Sequence, residues 1–138
     1  MKALIAALLC AAALVPARAT DNLYRDLGET AGITAVMGDF VDRLKADTVI
    51  GHFFKETSRK FLVKQLSDQV CQATGGPCVY DGETMKKSHE KLKIGSADFN
   101  RLVEVLQDAM DARQVPFATQ RALLARLAPM HRDVVTQP

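Results

Sequence analysis

The chain has 138 residues, 48% of them hydrophobic, with 18 basic and 16 acidic side chains and three cysteines. The length suits one domain with one core. A formal charge of +2 supplies no basic excess for nucleic acid or an anionic membrane surface.

The first nineteen residues, "MKALIAALLCAAALVPARA", join Lys2 to an apolar run from Ala3 to Val15 and then to Ala17-Arg18-Ala19. That is the pattern of a secretory signal peptide cleaved after Ala19. The run is too short for a membrane-spanning helix, and bulky Leu9 before Cys10 argues against a lipid anchor. Residues 20–138 are therefore expected as one exported domain, periplasmic or secreted, without stable membrane insertion after cleavage. Without Lys2 and Arg18, 16 basic side chains balance 16 acidic ones. Cys71 and Cys78 remain as an even pair in an oxidising compartment.

From Thr30, read as an N-cap, the residues Ile33, Val36, Met37, Phe40, Val41 and Leu44 recur at helical spacing. A second helix starts at Ser58 and carries Leu62, Leu66, Val70 and Ala73 on one face, stopped by Gly75-Gly76-Pro77. A short third piece, Thr84 to Leu92, places Met85, His89 and Leu92 together. Ser96 caps a fourth helix with Phe99, Leu102, Val103, Leu106 and Met110 inward. A fifth follows Pro116 through Leu123, Leu124, Leu127 and Met130, with Pro129 predicted to kink it. No segment alternates with period two, so the fold class is all-α. About twenty residues, Thr74 to Gly95, hold only the one short helical piece. Long connections of this kind are functional or disordered, and Val79, Tyr80, Met85 and Leu92 predict order here.

His89 on the apolar face of a short helix is by pattern alone more often a hydrogen-bonded core residue than a ligand. Other site chemistries fail more clearly. There is no His-x-x-x-His and no Cys-x-x-Cys pair for zinc. No Cys-x-x-Cys-His offers covalent c-type haem attachment, and no nucleophile elbow frames a serine triad. One histidine suffices chiefly for axial ligation of haem iron, where the porphyrin brings four donors.

The motifs "LYRDLG" (Leu23–Gly28), "DFVDRLKAD" (Asp39–Asp47), "HFF" (His52–Phe54), "GGPCVYDG" (Gly75–Gly82) and "MKKSHEKLKI" (Met85–Ile94) carry a family resemblance. "DFNRLVEVL" and "LLARLAPMHRDVV" complete it. The chain resembles the group I truncated haemoglobins, two-over-two helical globins, over Leu23 to Val135. The resemblance implies a two-over-two helical sandwich with an extended loop before a short proximal helix, and haem b (iron protoporphyrin IX) as cofactor. His89 would be the iron ligand. Phe54 would pack on the porphyrin, Phe40 would be pocket wall, and Phe53 fits plain core packing better than haem contact. Met85 would face the haem, and Lys86 would reach a propionate or stand in solvent. Gly75, Gly76 and Gly82 would be loop hinges. Gly28 stands where the family places a first glycine, but Glu29 occupies the place of the second.

The distal side departs further. Many family members carry a tyrosine immediately after "Asp-Phe", and here that residue is Val41. The distal-helix positions that often supply a polar partner read Leu62 and Leu66. Gln65 and Gln69 approach the pocket or a propionate, or are simply solvated. The expectation is a mainly apolar distal pocket of Val41, Leu62 and Leu66. Such a protein would bind a diatomic gas (O2, CO or NO) reversibly, with an electron donor as a further partner. A redox enzyme at the same iron, nitric-oxide dioxygenase or peroxidase-like, is the alternative, and a haem-free helical module is a third reading. His52 and His131 are expected away from the iron. Cys71 and Cys78 are expected to form a disulfide, against the alternative of two free buried thiols acting as small hydrophobes.

Overall fold

The computed structural model describes residues 22–137. The expected signal segment, with Cys10 and the cleavage site after Ala19, lies outside the described residues. A short α1 (Leu23–Asp26) leads into α2 (Glu29–Ala46), whose buried face is Ile33, Val36, Met37, Phe40, Val41 and Leu44. That is the stripe its spacing predicts, because residues three and four apart share a helix face. Thr30 is not the cap. The helix starts earlier, from Gly28 at φ 86°, and Thr30 sits in the first turn with its hydroxyl 2.7 Å from Tyr24 Oη. A Cβ on Gly32 would run into the Leu27 carbonyl, so α1 can approach α2 this closely only over a glycine.

The turn between α1 and α2 needs two successive left-handed residues, and the second is Glu29 at φ 59°. A side chain in that region costs about 1–2 kcal/mol. Glu29, the first residue of α2, thus occupies a backbone position that favours glycine.

After α2, Asp47 organises the corner. One carboxylate oxygen accepts the backbone N–H groups of Val49 and Ile50 at 2.9 and 3.0 Å. The other accepts Arg101 Nε and Nη2 at 2.9 and 2.7 Å. This carboxylate, 6% exposed, ties the end of α2 to a helix fifty residues further on. A 3-10 turn, Gly51–Phe54, follows. Helix α3 (Arg59–Ala73) begins where expected, with the Ser58 side chain accepting Phe61 N–H at 3.2 Å. It ends at Thr74, whose hydroxyl donates to the Val70 carbonyl at 2.8 Å, and at left-handed Gly75.

The extended loop runs to Thr84, which caps α4 (Met85–His89) by accepting Lys87 N–H. Helix α5 (Ser96–Ala112) is capped at Gly95, one residue before the expected Ser96, because Asp98 reaches back to Gly95 N–H at 2.9 Å. Helix α6 (Phe117–Leu127) follows Pro116. Pro129 breaks it as expected, giving a 3-10 turn, Ala128–Met130, and then α7 (His131–Val134). Residues 136 and 137 donate back to the Ile94 carbonyl, closing the tail over the joint between α4 and α5.

The architecture is all-α, with no strand among the described residues. Helix α2 packs on both α3 and α5, α5 packs on α6, and α4 leans on α7. Val36, Met37, Val70, Val105, Leu106, Ala109, Met110 and Leu123 form the shared core. Among the described residues no helix is long and apolar enough to cross a membrane.

Two predictions follow from these two corners. Glu29→Gly should raise the midpoint of urea unfolding, by about 0.5–1 kcal/mol of stability, since relief of the left-handed side chain outweighs the added freedom of the unfolded glycine. Hydrogen bonds from Arg101 first, and then from the Ile50 and Val49 backbone, lower the Asp47 pKa from 3.8 to about 2. A carboxyl depressed in the folded state stabilises fully above its unfolded value and loses that contribution as pH falls through the folded one. Asp47→Asn should therefore lower stability at neutral pH and flatten its fall between about pH 4 and pH 2, measured by denaturant titrations across that range.

Candidate functional site

Between the helix pairs lies a cavity of about 580 Å³, within the span of ~300–1,000 Å³ usual for ligand pockets. Helix α2 gives it Met37, Phe40 and Leu44, and the 3-10 turn gives Phe53 and Phe54. Helix α3 contributes Leu62, Gln65, Leu66 and Gln69. The loop and α4 contribute Tyr80, Gly82, Met85 and His89, while Phe99, Leu102, Leu106, Leu124 and Leu127 close the far wall. The wall is mainly apolar, and α2, α5 and α6 contribute to it from faces that also pack in the core.

His89 is partly buried at the end of α4. Its Nδ1 lies 2.7 Å from the Met85 carbonyl oxygen, one helical turn back at the start of α4. A carbonyl only accepts, so Nδ1 carries the proton and Nε2 keeps its lone pair. Ser88 Oγ lies 2.8 Å from the same Nδ1 and donates to the Thr84 or Met85 carbonyl, which leaves its own lone pair for the imidazole N–H. The ring is thus set in the tautomer that coordinates metal through Nε2.

Gln69 spans two elements, its amide nitrogen 3.1 Å from Met85 Sδ and 3.3 Å from Met130 Sδ. Tyr80 donates its hydroxyl to the Glu83 carbonyl at 2.7 Å, and burial pushes its phenol pKa up, with Glu83 and Asp81 adding to the shift. A Cβ on Gly82 would collide with Gln65 Oε1 and the Tyr80 ring, so this glycine is demanded by space at the cavity rim.

Of the residues singled out from sequence, Phe40, Phe54, Leu62, Gln65, Leu66, Met85 and His89 meet at this cavity. Val41 and Lys86 do not. Val41 is fully buried, one 100° step away from Phe40, and packs within the helical layers instead of lining the space. Lys86 is exposed on α4. Phe53 does more than fill core, since it lines the cavity while packing against the core cluster. His52 is exposed and stacks on Phe53 with ring centroids 4.0 Å apart; His131 meets Phe99 edge-on at 4.8 Å. Neither histidine lines the cavity. Met37, Leu44 and the far-wall residues on α5 and α6 were visible in sequence only as members of apolar stripes.

Cys71 and Cys78 are bonded to each other. Among the described residues no group of three or more His, Cys, Asp or Glu side chains could hold a metal ion. A single neutral nitrogen facing an apolar slot suits a metal that brings its other ligands with it, which is the donor set haem requires.

A family model described as bacterial-like globin matches residues 22–136. The chain is 30% identical to a group 1 truncated hemoglobin of Synechocystis sp., across 84% of this chain and 98% of the relative. It is 29% identical to one of Mycolicibacterium paratuberculosis, across 83% and 85%. The crystal structure of truncated hemoglobin from Tetrahymena pyriformis in its Fe(III) form superposes with a TM-score of 0.78 at 25% identity, covering 82% of this chain and 97% of that one. The protein is thus a bacterial-like globin. Within that class it belongs to the group 1 truncated haemoglobins, a family of haem-binding globins.

Gly82→Val should displace Gln65 and Tyr80 together, weakening haem uptake by apoprotein at least several-fold in a Soret titration, while far-UV helicity stays near that of the unmodified chain.

Proposed function

We propose that the protein holds haem b through His89 Nε2 and binds a diatomic gas reversibly on the opposite side of the cavity. The observation that carries this reading is the Met85 carbonyl on His89 Nδ1, which prepares Nε2 as a ligand at the edge of an apolar slot. Bound there, haem would supply the iron at which a gas molecule is held. The chain's residues do the rest. Phe40, Phe53 and Phe54 give an apolar wall for a flat macrocycle, Met85 and Ser88 fix the imidazole, and the leucines of α3 and α5 exclude water.

The gas-binding side is set by α3, where Leu62 and Leu66 line the cavity. The Gln69 amide is engaged by two methionine sulfurs, and the Tyr80 hydroxyl by a carbonyl. With Val41 withdrawn into the core, the first long helix offers apolar side chains to the cavity. Gln65 also lines the cavity, at the rim beside Gly82. A hydrogen bond to a charged partner is worth ~1.5–3 kcal/mol, so dioxygen held against Leu62 and Leu66, away from that amide, should leave roughly ten- to a hundredfold faster than from a donor-lined pocket. Carbon monoxide and nitric oxide depend less on such a donor, and the reading is of a gas binder rather than an oxygen store. Export to an oxidising compartment belongs to the same reading, supported by the Cys71–Cys78 bridge.

Protein reconstituted with haem should show a Soret band that His89→Ala abolishes or shifts to a weakly bound form. The ferrous protein should release dioxygen fast in stopped flow, and Leu66→Gln should slow that release about tenfold. A slow release from the unmodified protein, unaltered by Leu66→Gln, would refute the apolar gas pocket.

A further inference from the structure

The segment that delivers His89 is held to the molecule at few points. Between α3 and the Thr84 cap, Val79 is 75% exposed and little apolar surface is buried. The Gly75 and Gly76 N–H groups donate to the Gln72 and Cys71 carbonyls where α3 ends, and past that turn two ties fasten the loop to α3: the Cys71–Cys78 bond, and Tyr80 N–H donating to Gln72 Oε1 at 2.7 Å. Beyond them Tyr80, Gly82 and Glu83 line the cavity, and α4 begins two residues later. Helix α4 has only five residues, too few to persist without its attachments. The bridge thus shortens the free length of chain between α3 and the histidine.

The two sulfurs differ in access. Cys71 is 1% exposed, in the core cluster. Cys78 is only partly buried, at the edge of the loop, with Thr30 Oγ1 3.9 Å from its sulfur. We propose that the Cys71–Cys78 bridge is a thiol-exchange site, addressed by a dithiol reductant at Cys78, whose opening loosens the chain's hold on haem at His89.

The chemistry is an ordinary two-electron exchange. One thiolate of the dithiol attacks Cys78 Sγ, forming a mixed disulfide there. The Cys71–Cys78 bond breaks, and its electron pair leaves on Cys71 Sγ, which takes up a proton. The second thiolate of the reductant then attacks its own mixed-disulfide sulfur and expels Cys78 as a thiolate, which is protonated in turn. The reductant ends as a disulfide and the protein as two thiols. Attack at the other sulfur is blocked because Cys71 lies under the core. With the bridge open, the loop beyond Gly76 is tied to α3 through the Gln72–Tyr80 bond, and α4 can swing from the cavity.

This inference rests on the haem reading above. The test is haem transfer from ferric holoprotein to excess apomyoglobin, before and after treatment with dithiothreitol and desalting under argon, with far-UV circular dichroism in parallel. Transfer should become about tenfold faster after reduction, equivalent to ~1.4 kcal/mol, with helicity retained. Cys78→Ser should transfer haem at the fast rate and ignore dithiothreitol. Oxidised glutathione should form a mixed disulfide, located by peptide mass, at Cys78 of Cys71→Ser but not at Cys71 of folded Cys78→Ser. Equal transfer rates in the two redox states would overturn the proposal, as would loss of helicity on reduction, which would make the bridge a staple of the whole fold. Failure to form any Soret species, bridged or reduced, would overturn it together with the haem reading.

Discussion

One hydrogen bond governs how this chain uses its histidine. The Met85 carbonyl stands one turn before His89 at the start of α4, and the His89 Nδ1–H donates to it at 2.7 Å. A carbonyl oxygen has two lone pairs, so it can serve the helix and the ring together, and the bond leaves Nε2 as the free ring nitrogen. With five residues α4 is too short to persist alone, so the orientation of the ring depends on what holds the helix in place.

That weakness is offset by the surroundings. Thr84 caps the first turn, α7 packs against the helix, and the tail closes over Ile94. On the upstream side the disulfide and the Gln72–Tyr80 bond hold the loop to α3. The rest of the fold is stiff by comparison. Helices α2, α3 and α5 share a core, and Asp47 locks the α2 corner to Arg101 on α5. A rigid cavity therefore faces a histidine carried on an adjustable arm.

Much of this was legible in the residue pattern. The α2 stripe, the Ser58 cap and the break at Pro129 each follow from a local rule, and each appears as expected. Other features depend on tertiary context. Phe40 and Val41 lie side by side on the same apolar stripe, and periodicity cannot say which faces a cavity and which faces core; the resemblance placed both at the pocket, and the packing keeps Phe40 on the wall and turns Val41 into the core. Leu102 and Leu124 posed the same ambiguity. Thr30 has the chemistry of a cap, but the left-handed turn at Gly28 and Glu29 starts the helix ahead of it. The engagement of Gln69 with two methionine sulfurs joins residues sixteen and sixty-one positions away, a separation no local pattern reaches.

The central claim is that His89 Nε2 is the iron ligand in a haem-bound state. Resonance Raman spectroscopy of the ferrous, ligand-free protein addresses it directly, because a neutral histidine on five-coordinate iron gives an iron–nitrogen stretching band. The account predicts that band, moving to lower frequency when histidine is labelled with nitrogen-15 and disappearing in His89→Gly unless imidazole is added. A band that persists unchanged in His89→Gly without imidazole would contradict it.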